Sequence, residues 1–457
     1  MCSERQAERL DRAVRTLSAW LAGTLLLASP LVQATPEIQS WRTENGTRVF
    51  FVAAPDIPMV DVQFVLAAGS AHDGAQSGLA SLTAAMLSEG AGDWTADAIA
   101  ERFDQVGAIF SASVDRDKTI LSLRTLTRAA AFDTALDTFA MLIARPTFAP
   151  DELERVRQNR LIALRQDDES PRSVASKAFY RAVFGAHPYA ADPAGTPESI
   201  TALTRADLVA FHARQYVGAN AVLALVGDLT RAQAEALAQR VVAGLPAGEP
   251  VAPLPAVPEL ERGTLNAISF PSSQTTLLAG QPGLRRGDPD YFALYVGNHI
   301  LGGSGLVSLL MNEIREQRGL SYSTYSYFLP LAQLGPFIMG LQTRNDQAEQ
   351  ARVVLLDTLK RFITQGPTAA ELTAAKQNIT GGFPLKIASN GDIVGYLAVI
   401  GFYNLPLDYL ARFRERIEAV TAAQIQDAFQ RRVHPERLAI VSVGAAPADA
   451  TATRGTP

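Results

Sequence analysis

The chain is poor in the residues that build covalent or metal chemistry. Cys2 is the only cysteine in 457 residues. It precedes the first apolar run, so it is not placed as a lipid acceptor. A chain cut after that run has no disulfide, no thiolate nucleophile and no Cys-based metal site. Its stability must come from packed cores, which its 47% hydrophobic content allows. The five histidines are His72, His187, His212, His299 and His434, and no two of them are spaced i,i+3 or i,i+4. Scattered histidines of this kind read as structural or surface groups. Lysine appears only five times, no basic tract exists, and the net charge of −5 gives no support for nucleic-acid binding. There is no G-x-S-x-G, and no G-K-[ST] follows a glycine-rich loop, so neither a serine nucleophile elbow nor a phosphate loop is indicated.

The N-terminus reads as a secretory signal over residues 1–34. Arg5, Arg9, Arg12 and Arg15 precede the apolar "LSAWLAGTLLLA" (17–28), and "VQA" (32–34) offers small residues for cleavage. The run is too short to span a bilayer comfortably, although retention as an anchor stays open. No other segment is apolar and long enough to cross. The expectation is a soluble, exported chain in a bacterial periplasm, with no membrane contact after signal removal.

The rest divides around "LPAGEPVAPLPAVPELERG" (245–263), whose five prolines favour an extended linker. Domains are expected at 35–244 and 264–447, with a disordered tail at 448–457. The halves echo each other. "ALTRADLVAFHARQYVGANAVLALVG" (202–227) aligns without a gap on "AVTAAQIQDAFQRRVHPERLAIVSVG" (419–444), with Thr204 and Thr421 as helix caps. "ELERVRQN" (152–159) echoes "ELTAAKQN" (371–378), and "SGLASL" (77–82) echoes "SGLVSL" (304–309). Three echoes in order point to an internal duplication.

Within the first half, strands are predicted at 48–53, 59–70, 108–114, 119–126 and 221–227. A hairpin turn is expected at "DRDK" (115–118). Helices are predicted near 78–89, 95–106, 131–143, 150–167, 172–184, 204–215 and 230–243. The second half repeats the plan, with strands near 264–270, 275–280 and 438–444, helices near 289–301 and 305–317, and a hairpin at 321–342. This is an α+β pattern of two homologous sandwich domains, each with an antiparallel or mixed sheet and helices packed on one face.

The repeated halves, the linker and the opening "GSAHDG…SGLA…LSEGA" together resemble the pitrilysin/insulinase family of zinc metallopeptidases, which includes mitochondrial processing peptidase. "ARPTF" (144–148), "HPYA" (187–190), "LGGSG" (301–305) and "EIREQRGLSYS" (313–323) add to the likeness. The resemblance implies half of a clamshell. Catalytic members carry H-x-x-E-H on the helix after "GLA": two histidines one turn apart bind zinc, and the glutamate activates the zinc water. Here those positions hold Ser81, Ala84 and Ala85, and the distal glutamate position falls at Ala163. No zinc is expected in this chain.

The resemblance also implies a second signature, an arginine seven residues before a tyrosine, which here is Arg315 and Tyr322. Arg315 is expected near the end of the 305–317 helix, and Tyr322 at the start of the next strand. In the resembled enzymes the pair holds the substrate carbonyl and the oxyanion. Gly302, Gly303, Ser304 and Gly305 read either as a flexible rim touching substrate or as a helix-start turn capped by Ser304. "PFIMGLQT" (336–343) is a candidate sheet edge for peptide addition. These features lead to a non-catalytic subunit that completes the site of a homologous H-x-x-E-H partner holding the zinc, with peptides as substrates. A catalytically inactive peptide-binding or scaffold protein is the alternative, and a homodimer of the chain alone stays open.

Overall fold

The computed structural model describes residues 37–445, so the expected signal segment 1–34 and tail 448–457 lie outside it. The first half begins with β1 (Gln39–Arg42), β2 (Arg48–Ala53), β3 (Met59–Leu66) and α1 (Leu79–Met86). The short pair β4 (Gly90–Ala91) and β5 (Trp94–Thr95) follows, then α2 (Ala96–Asp104), β6 (Ile109–Val114) and β7 (Thr119–Leu126). Helices α3 (Ala129–Ala144), α4 (Pro150–Asp168), α5 (Pro171–Phe184), α6 (Pro197–Ala202) and α7 (Arg205–Gln215) lead to β8 (Ala221–Gly227) and α8 (Arg231–Val242). The second half holds β9 (Thr264–Ser269), β10 (Gln274–Pro282), α9 (Tyr291–Asn298), β11 (Thr324–Phe328) and β12 (Pro336–Arg344). It closes with α10 (Ala348–Gln365), α11 (Ala369–Gly382), α12 (Asn390–Phe402), α13 (Tyr409–Ala419), α14 (Ala422–Arg432) and β13 (Ala439–Gly444).

The duplication extends to the whole topology. The first sheet has the order β1-β2-β8-β3-β7-β6, and the second β11-β12-β10-β13-β9. Read from its other edge, the second repeats the first from β2 onward. The directions agree as well: β2 is parallel to β8 as β9 is to β13, and β3 is antiparallel to β8 as β10 is to β13. Both expected caps are present. Thr204 and Thr421 accept from the backbone N–H of Asp207 and Gln424, whose side chains return to the cap nitrogens.

Each half packs its own helices on one face of its sheet, as expected, and the opposite face adds a feature that the plan did not include. It is covered by one helix from the other half. On the second sheet, Ala175, Phe179, Val183 and Phe184 of α5 are buried with Leu278, Ile338, Val441 and Val443. On the first sheet, Ile393, Val394, Leu397 and Ala398 of α12 are buried with Phe50, Val52, Val222, Ala224 and Val226. This exchange explains why β8 is buried along its whole length: a strand covered on both faces reads as a continuous apolar run. The approach is close. A Cβ on Gly401 of α12 would lie 2.6 Å from the Phe50 ring, and one on Gly280 of β10 would lie 2.8 Å from the ring tip of Phe179.

Other expectations need correction. The strand expected over 59–70 ends at Leu66 and gives way to a 3-10 turn at Ser70–His72. The candidate edge at 336–343 is internal, because β12 pairs with both β10 and β11. The linker is extended yet pinned: His187 Nε2 lies 2.9 Å from the Pro255 carbonyl oxygen, and Gln333 Nε2 donates to Leu254 O at 3.1 Å.

The largest departure is at 305–317. Gly78 and Gly305, equivalent in the repeat, both take left-handed φ, +92° and +61°. After Gly78 the chain enters α1 directly. After Gly305 it makes a 3-10 turn over Gly305–Val307, extends at Ser308, and winds as a π-helix over Met311–Glu316. The reason lies upstream. In the first half the Asp73 carboxylate accepts from the Gly78 and Ala80 N–H groups at 2.8 and 2.9 Å. Ile300 stands five residues before Gly305 and offers no acceptor. Ser304 makes no capping bond, whereas Ser308 Oγ accepts from the Met311 N–H at 3.3 Å. Ser308, not Ser304, starts the helix, and it starts later.

Candidate functional site

Helix α1 packs against α4, α7 and the edge strand β6. The Ser81 hydroxyl donates to Pro193 O at 2.6 Å. Ala84 is buried, Ala85 half-buried, and Ala163 exposed on α4. One engaged hydroxyl and three methyl groups do not fit zinc, which takes imidazole, thiolate or carboxylate donors. Among the described residues no three His, Cys, Asp or Glu side chains come together as a metal site. His212 instead contacts the Ile143 carbonyl oxygen at 2.9 Å through Nε2. Burial lowers the pKa of His72, His187, His212 and His299, which keeps these rings neutral. Burial pushes the Asp73 carboxyl up to about 7, against the opposing pull of the backbone N–H groups of Ala80, Gly78 and Leu79.

Arg315 stands near the end of the π-helix, as expected for a helix terminus. Tyr322 does not open the next strand; it sits in a bend, and β11 begins at Thr324. The Arg315 guanidinium carbon lies 4.9 Å from the Tyr322 ring centroid, a cation–π contact worth about 0.5–1 kcal/mol at an exposed site. Tyr322 is 83% exposed. Arg315 Nε is 3.5 Å from Glu316 Oε1. Two hydrogen-bond donors thus stand side by side, the phenol exposed and the guanidinium half-buried.

Gly302, Gly303 and Gly305 line a cleft of about 660 Å³, and Ser304 does not. Gly302 and Gly303 belong to a π-helical turn, His299–Gly303, a geometry that concentrates at functional positions. Packing accounts for the first two glycines. A Cβ on Gly302 would lie 2.4 Å from Ser326 Oγ, and one on Gly303 would lie 2.8 Å from Asn298 Nδ2. Gly305 faces open space, so its left-handed turn is what selects glycine.

The sequence reading missed the second role of "DRDK". Asp117 is 2% exposed. Its carboxylate accepts from the Tyr189 hydroxyl at 2.5 Å, the Tyr403 hydroxyl at 2.8 Å and the Ala332 N–H at 2.7 Å. Tyr189 belongs to the first half, and Tyr403 and Ala332 to the second. Burial, then the Asp117 charge, pushes both phenols well above their ordinary range. A charged hairpin turn usually reads as solvated. The available signal was that "DRDK" lacks the Gly or Asn favoured in tight hairpin turns.

Known proteins share this organisation. Residues 48–196 match the profile described as insulinase (peptidase family M16), and residues 202–379 match the peptidase M16 inactive domain. A protein from Rickettsia bellii, described as an uncharacterized zinc protease, is 26% identical over 389 residues, spanning 84% of this chain and 92% of that protein. One from Mycobacterium bovis with the same description is 29% identical over 348 residues, 75% of this chain and 78% of that protein. A solved peptidase M16 inactive domain from Pseudomonas fluorescens matches with a TM-score of 0.87 at 41% identity, covering 90% of this chain and 99% of that one. A protease from Helicobacter pylori shares the fold, with a TM-score of 0.83 at 21% identity over 90% of this chain and all of that one. With both family profiles in order along its two halves and a 41% identical structure over nine-tenths of its length, this chain belongs to peptidase family M16, the insulinase family.

Proposed function

We propose that this chain is the zinc-free, non-catalytic subunit of a two-chain M16 peptidase, acting in the periplasm after signal removal. One observation carries the reading. The positions for zinc ligands hold no ligand, while Arg315 and Tyr322 stand together with the Tyr322 ring exposed. A homologous chain with an intact H-x-x-E-H motif supplies the zinc site. This chain supplies a guanidinium and a phenol that donate to the negative charge developing on the peptide carbonyl oxygen. Peptide-binding surface comes from the rim at Gly302, Gly303 and Gly305, and from the edge strand β6, where Ile109 is exposed.

The test is to assay peptide hydrolysis by the chain, by an H-x-x-E-H homologue, and by both together. The pair is active and this chain alone is not. Arg315→Ala and Tyr322→Phe each lower the rate of the pair by about 10²–10³, the usual cost of an oxyanion donor. A pair whose rate is indifferent to both substitutions rejects the assigned role and leaves a peptide-binding or scaffold protein.

A further inference from the structure

The cleft beside the glycine turn has a chemistry of its own. Two stacked tyrosine pairs line it. Tyr291 and Tyr295 of α9 have centroids 5.7 Å apart, and Tyr325 and Tyr327 of β11 have centroids 5.8 Å apart. Three glycines leave part of its surface without side chains. Arg286, His299 and Lys386 also line it, and no Asp or Glu does. His299 is neutral, because burial and the nearby Lys386 charge both lower its pKa. Two cations therefore remain in an aromatic cleft of a chain whose net charge is −5.

Both cations are placed to receive an anion. Lys386 is exposed, and its Nζ lies 3.2 Å from the Tyr295 hydroxyl. Arg286 Nε is buried and has no hydrogen-bond partner among the described residues. Because Arg286 itself lines the cleft, a ligand carboxylate would meet its guanidinium there.

The edge of β11 limits how a peptide enters. Asn298 Nδ2 already donates to Ser326 O at 3.0 Å, and Gly302 sits so close that a Cβ there would lie 2.6 Å from Ser326 N. A peptide has no room to add here as a further strand and run through. A chain end fits, and the volume of about 660 Å³ suits a ligand of a few residues.

We propose that this cleft holds the C-terminal end of a peptide, with an apolar or aromatic side chain against the tyrosines and the free carboxylate on Arg286 and Lys386. The proposal rests on the peptide-binding reading above but not on Arg315 or Tyr322. Fluorescence anisotropy with the full chain alone tests it. The probes are an N-terminally labelled tetrapeptide ending in two phenylalanines as the free acid, the same peptide as the C-terminal amide, and an amide with glutamate in place of the third residue. The free acid binds about tenfold tighter than either amide, the scale of a charge-assisted hydrogen bond. Lys386→Gln and Arg286→Gln each remove most of that preference and leave amide binding unchanged. Lys386 is exposed, so its variant remains informative if Arg286→Gln does not fold. Equal binding of acid and amide, equal binding of the acid and the glutamate amide, no binding of any probe, or a preference that survives Lys386→Gln overturns the proposal. A pair with no hydrolytic activity, alongside an intact acid preference, counts against the subunit reading alone.

Discussion

The guanidinium carbon of Arg315 lies 4.9 Å from the centroid of the Tyr322 ring, although the two are seven residues apart. A tight turn closes that gap. The Gly319 N–H donates to Arg315 O and the Leu320 N–H to Ile314 O, both at 2.9 Å, and Gly319 takes φ +61°. This is the left-handed glycine stop of a helix end. Gly319→Ala strains that conformation by about 1 kcal/mol. It is expected to lower the rate of the paired enzyme about tenfold by misplacing both donors. Tyr322→Phe, at an exposed ring, leaves the unfolding midpoint of this chain unchanged while lowering the paired rate. Thermal scans and rate assays on the same preparations separate the two effects.

Asp117 accepts three hydrogen bonds, and the two from Tyr403 and Ala332 join the halves. Asp117→Ala removes the acceptor of two phenol O–H donors and one backbone N–H. At about 1 kcal/mol or more for each unsatisfied group, the loss is on the order of 3 kcal/mol. Urea unfolding measures it. Tyr403→Phe removes a single partner and costs less than Asp117→Ala.

Phe179 belongs to the first half but packs in the second, under β10. Phe179→Ala is expected to cost about 3–5 kcal/mol, as large-to-small changes in cores do. Because the halves share two such interfaces, unfolding stays a single transition in the variant. Calorimetry that resolves two transitions, one unaffected by the substitution, argues against this coupling.

Asp73 makes α1 sensitive to pH. Its folded pKa of about 7 lies above the ordinary aspartate value of 3.8. The folded state therefore holds the proton more tightly, and this contribution to stability is complete below about pH 4 and is lost as pH rises through about 7. Asp73→Asn keeps an uncharged acceptor at every pH. From about pH 4 to 7 the unfolding free energy of the parent should fall relative to that of Asp73→Asn, and above 7 the difference should level off. Urea midpoints across that range provide the measurement.

Strands that bury themselves by simple rules were legible. β2, β7 and β8 fall where their apolar patterns put them, residue for residue. The apolar residues of α5 and α12 also mark buried faces. A pattern such as Ala175, Phe179 and Val183 says that a face is covered, not by what, so the exchange between halves was not readable. The helix expected at 305–317 starts late because a helix start depends on an acceptor, and Asp73 has no counterpart at Ile300. At the site, the missing ligands at Ser81, Ala84 and Ala85 could be read directly. The Arg315–Tyr322 spacing had weight only through the family likeness around it. Arg286 and Lys386 carried no signal, because a cleft gathers residues a hundred positions apart.

The exchanged helices also set a timetable. Val222, Ala224 and Val226 lie under Leu397 and Ala398, so one side of the first sheet stays bare until residues near the end of the chain exist. The first half is not a finished folding unit when its own last strand, β8, is made, because α12 comes more than 160 residues later, whereas the helix that covers the second sheet is made before it. Until α12 is made, the first half lacks one wall of its core, and an unfinished core suits the export proposed above.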